Sequence, residues 1–254
     1  MLVARVGQIP LVYPVAAQHK LPLLLPLYLL APVATEFYRR LEVGRWSNYG
    51  VGWHQSFFRL AAAGFGVAAA GVVILTALQV GLGWRRWHTP APMSNSPDAS
   101  QDGSSRARPG AVLLAVLPLA LFVGWIEELV FRGVLVNGLE RVLPFWLIAV
   151  VVSLVFAVSH LVWDGSAGAP QLPGLAVMGA VLLLARWVSG GSLGLAWGLH
   201  AGWVYAIAAI DALALLKPGK ASPIWLVGLP DQPLTGLLPL GLLSLTGLWL
   251  WMLA

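Results

Sequence analysis

The chain has 254 residues, of which 59% are hydrophobic and only 10% charged, with a mean hydropathy of +0.81. A soluble domain carries about 25% charged and about 45–50% apolar residues, so this composition excludes an ordinary water-soluble globule and indicates a multi-pass membrane protein. The net charge of +5 sits in short segments between apolar stretches, the pattern of membrane-flanking charge rather than of a nucleic-acid surface.

Without cysteine there is no disulfide, no thiolate nucleophile and no Cys-based zinc site. A spanning helix needs about 20 apolar residues, and seven stretches qualify in chain order. The first, 21–37, carries Pro22, Pro26 and Pro32 and is expected to be kinked or re-entrant. It runs into Glu36-Phe37-Tyr38-Arg39-Arg40 without a small-residue cleavage site, so it is expected to be retained rather than removed as a signal peptide. The second, 57–84, presents Gly64, Gly66, Ala68, Ala70 and Gly71 as a small surface for close helix contact. Residues 88–110 are rich in Pro and Ser and lack periodicity, which predicts a flexible polar loop outside the membrane. This loop separates N-terminal membrane segments, residues 1–87, from a core bundle over 111–254. The core contains candidate spans at 111–139, 144–163, 172–188, 192–216 and 234–253. The expected fold is therefore all-α, a polytopic transmembrane bundle of about seven helices.

The core bundle holds the chemistry. Residues 111–126 carry no charge, and the helix they begin then meets Glu127, Glu128 and Arg132 at or near membrane depth. Ionisable groups there are costly and point to function by default. Helical spacing stacks Glu128 and Arg132 on one face as a charge-assisted pair, whereas Glu127 is turned about 100° away. Glu127 is thus the carboxylate left to face a cavity and to act as a general base on water. The plain alternative is that both glutamates only tie neighbouring helices together.

His160 and His200 are the two histidines inside apolar spans, each on its own helix. Asp164, four residues after His160, either orients that ring or is a helix-end carboxylate in water. Gly194, Gly198 and Gly202 form a groove for close approach of another helix, with His200 on a different face.

Together, Glu127-Glu128-x-x-x-Arg132, Phe156-x-x-x-His160 and Gly198-Leu-His200-Ala-Gly-Trp resemble the three ordered motifs of the CAAX protease and bacteriocin-processing family, glutamic-type intramembrane proteases also called Abi. The resemblance covers about residues 111–210. It implies an intramembrane endopeptidase in which Glu127 and His160 activate a water, His200 helps to stabilise the oxyanion, and Glu128 and Arg132 give support. It also implies no cofactor and no metal, a membrane-associated peptide or protein as substrate, the lipid bilayer as partner, and a multi-pass location in a bacterial inner membrane. Zinc held by two His and a Glu is the competing mechanism, and no His-Glu-x-x-His motif is present. One position departs from the pattern: members commonly carry Asn or Asp four residues after the third-motif His, and this chain has Val204. Trp203 and Asn137 are the sequence's candidates for the missing donor. The reading from another class is a non-catalytic membrane protein, an immunity factor, scaffold or transporter subunit, that keeps the polar cluster for helix packing.

Overall fold

The computed structural model describes residues 15, 17–88, 108–220, 222–229 and 232–254. Among them run seven long helices: α1 (Ala17–Leu41), α2 (Gln55–Gly81), α3 (Pro109–Leu139), α4 (Phe145–Ser159), α5 (Leu172–Val188), α6 (Gly194–Ala212) and α7 (Leu237–Trp251). The protein is a helical membrane bundle, as its composition predicts. The stretches Gln55–Gly81, Pro109–Leu139 and Phe145–Val188 are long and apolar enough to cross a membrane, and the last is folded into the α4–α5 hairpin. The polar loop expected over 88–110 falls almost wholly on residues 89–107, outside the described residues.

The small surface of α2 and the glycine groove of α6 meet, because only hydrogen side chains let two backbones come this close. A Cβ on Gly198 would collide with the Ala61 carbonyl, one on Gly194 would lie 2.5 Å from the Phe57 carbonyl oxygen, and one on Gly202 would lie 2.6 Å from that of Phe65. From the α2 side, a Cβ on Gly64 would lie 2.6 Å from the Leu195 carbonyl oxygen. Gly66 takes no part, with nothing within 4 Å of its Cβ position, and Gly71 instead faces Leu242 of α7. A two-stranded antiparallel ribbon, β1 (Arg85–Trp87) with β2 (Leu216–Pro218), clips together the ends of α2 and α6. The main core, with Phe156, Leu182, Leu199, Trp203 and Leu243, lies between α4, α5, α6 and α7.

Helix α1 runs as one helix through its three prolines. It is held at both ends. Just before it, the Val15 N–H donates to the Trp163 carbonyl at 2.8 Å, beside the end of α4. Just after it, Glu42 pairs with Arg141 at 2.6 Å and accepts the Tyr49 hydroxyl at 3.0 Å. The hydrogen bond from Tyr38, with those from Arg141 and Tyr49, holds the Glu42 carboxyl below its ordinary range. Helix α4 has only 15 residues and rises about 22 Å. Its Trp146, Val150, Leu154 and Val158 are exposed, as lipid-facing side chains are.

Two outcomes follow from this packing. Gly198→Val lowers the thermal midpoint by the equivalent of at least about 1–3 kcal/mol, the usual cost of overpacking, whereas Gly66→Ala leaves it unchanged or slightly raised. Because the Glu42 clasp depends on the ionised carboxylate, its stabilisation is present above the ordinary carboxylate pKa of about 4.3 and is lost as pH falls through the lower, folded-state value. In melting experiments, the difference between wild type and Glu42→Gln therefore disappears in strong acid.

Candidate active site

The two adjacent glutamates sit at a change in helix type. α3 is regular from Pro109 to Glu128, then widens into a π-helical segment, Leu129–Leu135, before one last α-turn. Such segments recur at functional sites because they re-aim side chains without ending the helix. Gly133 lies within it where the Tyr49 carbonyl crosses, 3.2 Å from where its Cβ would be.

Behind the helix, Glu128 and Arg132 have no exposed side-chain surface and form the pair expected from their spacing, Nη1 to Oε1 at 2.9 Å. Arg132 Nη2 donates to the Gly179 carbonyl of α5 at 3.1 Å. The guanidinium carbon also lies 4.3 Å from the centre of the Phe156 ring, a cation–π contact with α4. His200 of α6 completes the cluster, its Nδ1 lying 2.8 Å from the same Glu128 Oε1 that Arg132 engages. A carboxylate only accepts, so Nδ1 carries the proton in this contact. The Nε2 atom of His200 is 3.6 Å from Glu127 Oε2.

In front, Glu127 opens onto a cavity of about 500 Å³ between α1, α3 and the end of α4. Its lining is mostly apolar, with Leu24, Leu27, Ile126 and Val130 among the walls, while Tyr28, Glu127, Ser159, His160 and Asp164 provide polar groups. His160 terminates α4, and its Nδ1 lies 2.8 Å from the Phe156 carbonyl oxygen. A carbonyl also only accepts, so Nδ1 is the protonated nitrogen and Nε2 keeps its lone pair. The Phe156 carbonyl therefore holds one nitrogen of the ring. His160 is a helical turn residue between α4 and the short helix Leu161–Asp164, and the Asp164 N–H donates to its carbonyl at 3.3 Å. Asp164 remains on the cavity wall.

The structure brings together all five residues singled out in the sequence, in two layers. Glu127 and His160 line the cavity, and Glu128, Arg132 and His200 are buried behind them. Val204, Trp203 and Asn137 do not line it. Trp203 is in the core, its buried indole N–H without a hydrogen-bond partner among the described residues.

One participant lies outside the motifs. Tyr28 of α1 donates its hydroxyl to Glu127 Oε1. Its signal in the sequence was modest but real, since Tyr28 is the one residue with a hydrogen-bonding side chain in the apolar run 21–34. No group of three or more His, Cys, Asp or Glu among the described residues is arranged to hold a metal ion.

Residues 109–206 match the family model described as type II CAAX prenyl endopeptidase Rce1-like. This is the CAAX-protease family that the three motifs resemble, and the matched stretch contains all three while leaving α1 outside. No curated protein and no solved structure matches the chain.

The two layers respond differently to loss of charge. Glu128→Gln leaves a buried guanidinium without its counter-ion, and breaking such a pair costs about 3–5 kcal/mol. Thermal unfolding in detergent therefore shows a large drop in midpoint for Glu128→Gln and a much smaller change for Glu127→Gln.

Proposed function

We propose that this integral membrane protein, with its Rce1-like segment at 109–206, is an intramembrane endopeptidase that hydrolyses a peptide bond of a membrane-anchored substrate with a water activated by Glu127 and His160. The observation that carries this reading is the shared cavity. Glu127, the member of the pair that Arg132 does not engage, and His160, whose Nδ1 is held by the Phe156 carbonyl, both open onto it.

In this mechanism a water binds between the two. Nε2 of His160 accepts one of its protons as a hydrogen bond and orients it, and Glu127 removes the other as the oxygen attacks the scissile carbonyl carbon. The carbonyl π pair moves onto its oxygen to give a tetrahedral oxyanion. Collapse breaks the C–N bond, and Glu127 returns the proton to the leaving amine. Glu128, Arg132 and His200 hold the backbone and rotamer of Glu127 so that little reorganisation is needed during reaction. The apolar walls suit a substrate with a hydrocarbon anchor beside its cleavable bond, as in a prenylated CAAX tail. A bacterial inner membrane is the proposed location.

An internally quenched, farnesylated peptide with a CAAX-type end, presented to the purified chain in proteoliposomes, tests the reading. Cleavage is expected from the wild type and is lost in Glu127→Gln, while His160→Ala lowers it by about 10²–10⁴-fold, the usual worth of a positioned acid–base group. Activity that persists through exhaustive chelation supports the metal-free route, and unchanged cleavage by Glu127→Gln refutes the mechanism.

A further inference from the structure

The site as described has a base and a water-orienting imidazole, and the side chains with an N–H or O–H on the cavity wall are Tyr28, Ser159, His160 and Trp163, of which Tyr28 is hydrogen-bonded to Glu127. Peptide hydrolysis places a full negative charge on the former carbonyl oxygen, and an apolar cavity cannot stabilise it without a hydrogen-bond donor. The hydroxyl of Ser159 already donates to the Phe156 carbonyl at 2.7 Å, and Nδ1 of His160 is directed at that same oxygen. His200 is buried behind the cavity, its Nδ1 2.8 Å from Glu128 Oε1, and it does not line the cavity wall. Val204, where the resemblance leads one to look for an amide, does not line the cavity.

We propose that Tyr28 is the oxyanion donor of this site, supplied by α1 from outside the Rce1-like segment. The proposal rests on the reading of Glu127 as the base. In the resting structure the phenol donates to Glu127 Oε1, so its O–H is already at the place where the water will react. When Glu127 takes the proton from the attacking water, its negative charge disappears and it becomes a poor acceptor. At the same moment a new negative oxygen forms on the substrate. The phenol loses its acceptor as a better one appears beside it, and it transfers its hydrogen bond, but no proton, from Glu127 to the oxyanion. On collapse the charge returns to Glu127 and so does the hydrogen bond.

Three features of α1 support this use. Its two ends are tied down, by Val15 to Trp163 and by Glu42 to Arg141, so Tyr28 is presented from a fixed span rather than a loose end. The Tyr28 ring packs against Phe122 of α3 with centroids 6.2 Å apart, which locates the hydroxyl. Pro32 has no N–H to offer the Tyr28 carbonyl four residues before it, which loosens the helix at this turn and permits the small shift the exchange requires.

The test uses the same proteoliposome assay with the farnesylated, quenched peptide. Tyr28→Phe keeps the ring and removes only the O–H. It is expected to lower kcat by about 100- to 1,000-fold, the effect of losing one oxyanion donor, with KM within about twofold of wild type and an unchanged thermal midpoint. Placing 4-aminophenylalanine at position 28 restores an N–H at the same place and is expected to recover at least about tenfold of the lost kcat. A structural role for Tyr28 would instead change KM or the midpoint and would gain nothing from the amine. Full kcat in Tyr28→Phe while Glu127→Gln is inactive overturns the Tyr28 assignment alone. A loss of kcat that the amine fails to recover also overturns it. A wild type that does not cleave the peptide, or a Glu127→Gln that does, overturns the protease reading and this proposal together.

Discussion

A carboxylate and a guanidinium, neither with any exposed surface and 2.9 Å apart, lie at the centre of this molecule. Bringing two such ions out of water costs several kcal/mol each, and their mutual attraction offsets this only when the remaining donors and acceptors are also met. The surrounding helices meet part of them, while Glu128 Oε2 and Arg132 Nε have no hydrogen-bond partner among the described residues. α5 offers the Gly179 carbonyl, α4 the face of Phe156, and α6 the Nδ1 proton of His200. One ion pair on α3 thereby fixes the relative positions of four helices. It also determines what is left over, because adjacent residues on a helix point about 100° apart. With Glu128 turned inward to Arg132, Glu127 turns toward the cavity.

The bundle separates scaffold from chemistry. The α2–α6 contact is built on glycines against backbone, flanked by the ring pairs Phe57–Trp197 and Phe65–Tyr205, and it orients α6 so that His200, on a different face from Gly198, reaches the glutamates. Glu127 and His160 lie apart from that contact, where α1 and the terminus of α4 close a cavity. At Gly179 the two functions meet: the absent side chain lets α5 approach Ser153 of α4, where a Cβ would lie 2.9 Å from the Ser153 Cα, and the same residue's carbonyl receives Arg132.

What could be read from the sequence was what depends on local periodicity. Seven apolar stretches became seven helices, and the spacing of Glu127, Glu128 and Arg132 was enough to separate the paired carboxylate from the available one. The glycine groove of α6 was legible for the same reason. Features set by contacts between distant segments were not. Spacing alone could not show that the Phe156 main-chain carbonyl holds Nδ1 of the His160 ring. The π-helical segment has no composition of its own and arises where Gly133 meets the chain around Tyr49. Three prolines drew attention away from α1, although Tyr28, its lone hydroxyl in an apolar run, is what reaches Glu127.

The shortness of α4 has a further consequence for how the protein sits in lipid. A rise of about 22 Å is some 8 Å less than the roughly 30 Å hydrocarbon core of a bilayer. With an outer face of exposed Trp146, Val150, Leu154 and Val158, this helix meets acyl chains directly. Such hydrophobic mismatch is relieved by thinning of the adjacent leaflet. Since α4 ends at His160, thinning of this kind would fall beside the cavity. A site that is to use water within a membrane needs a route for it, and a short helix beside the cavity shortens that route.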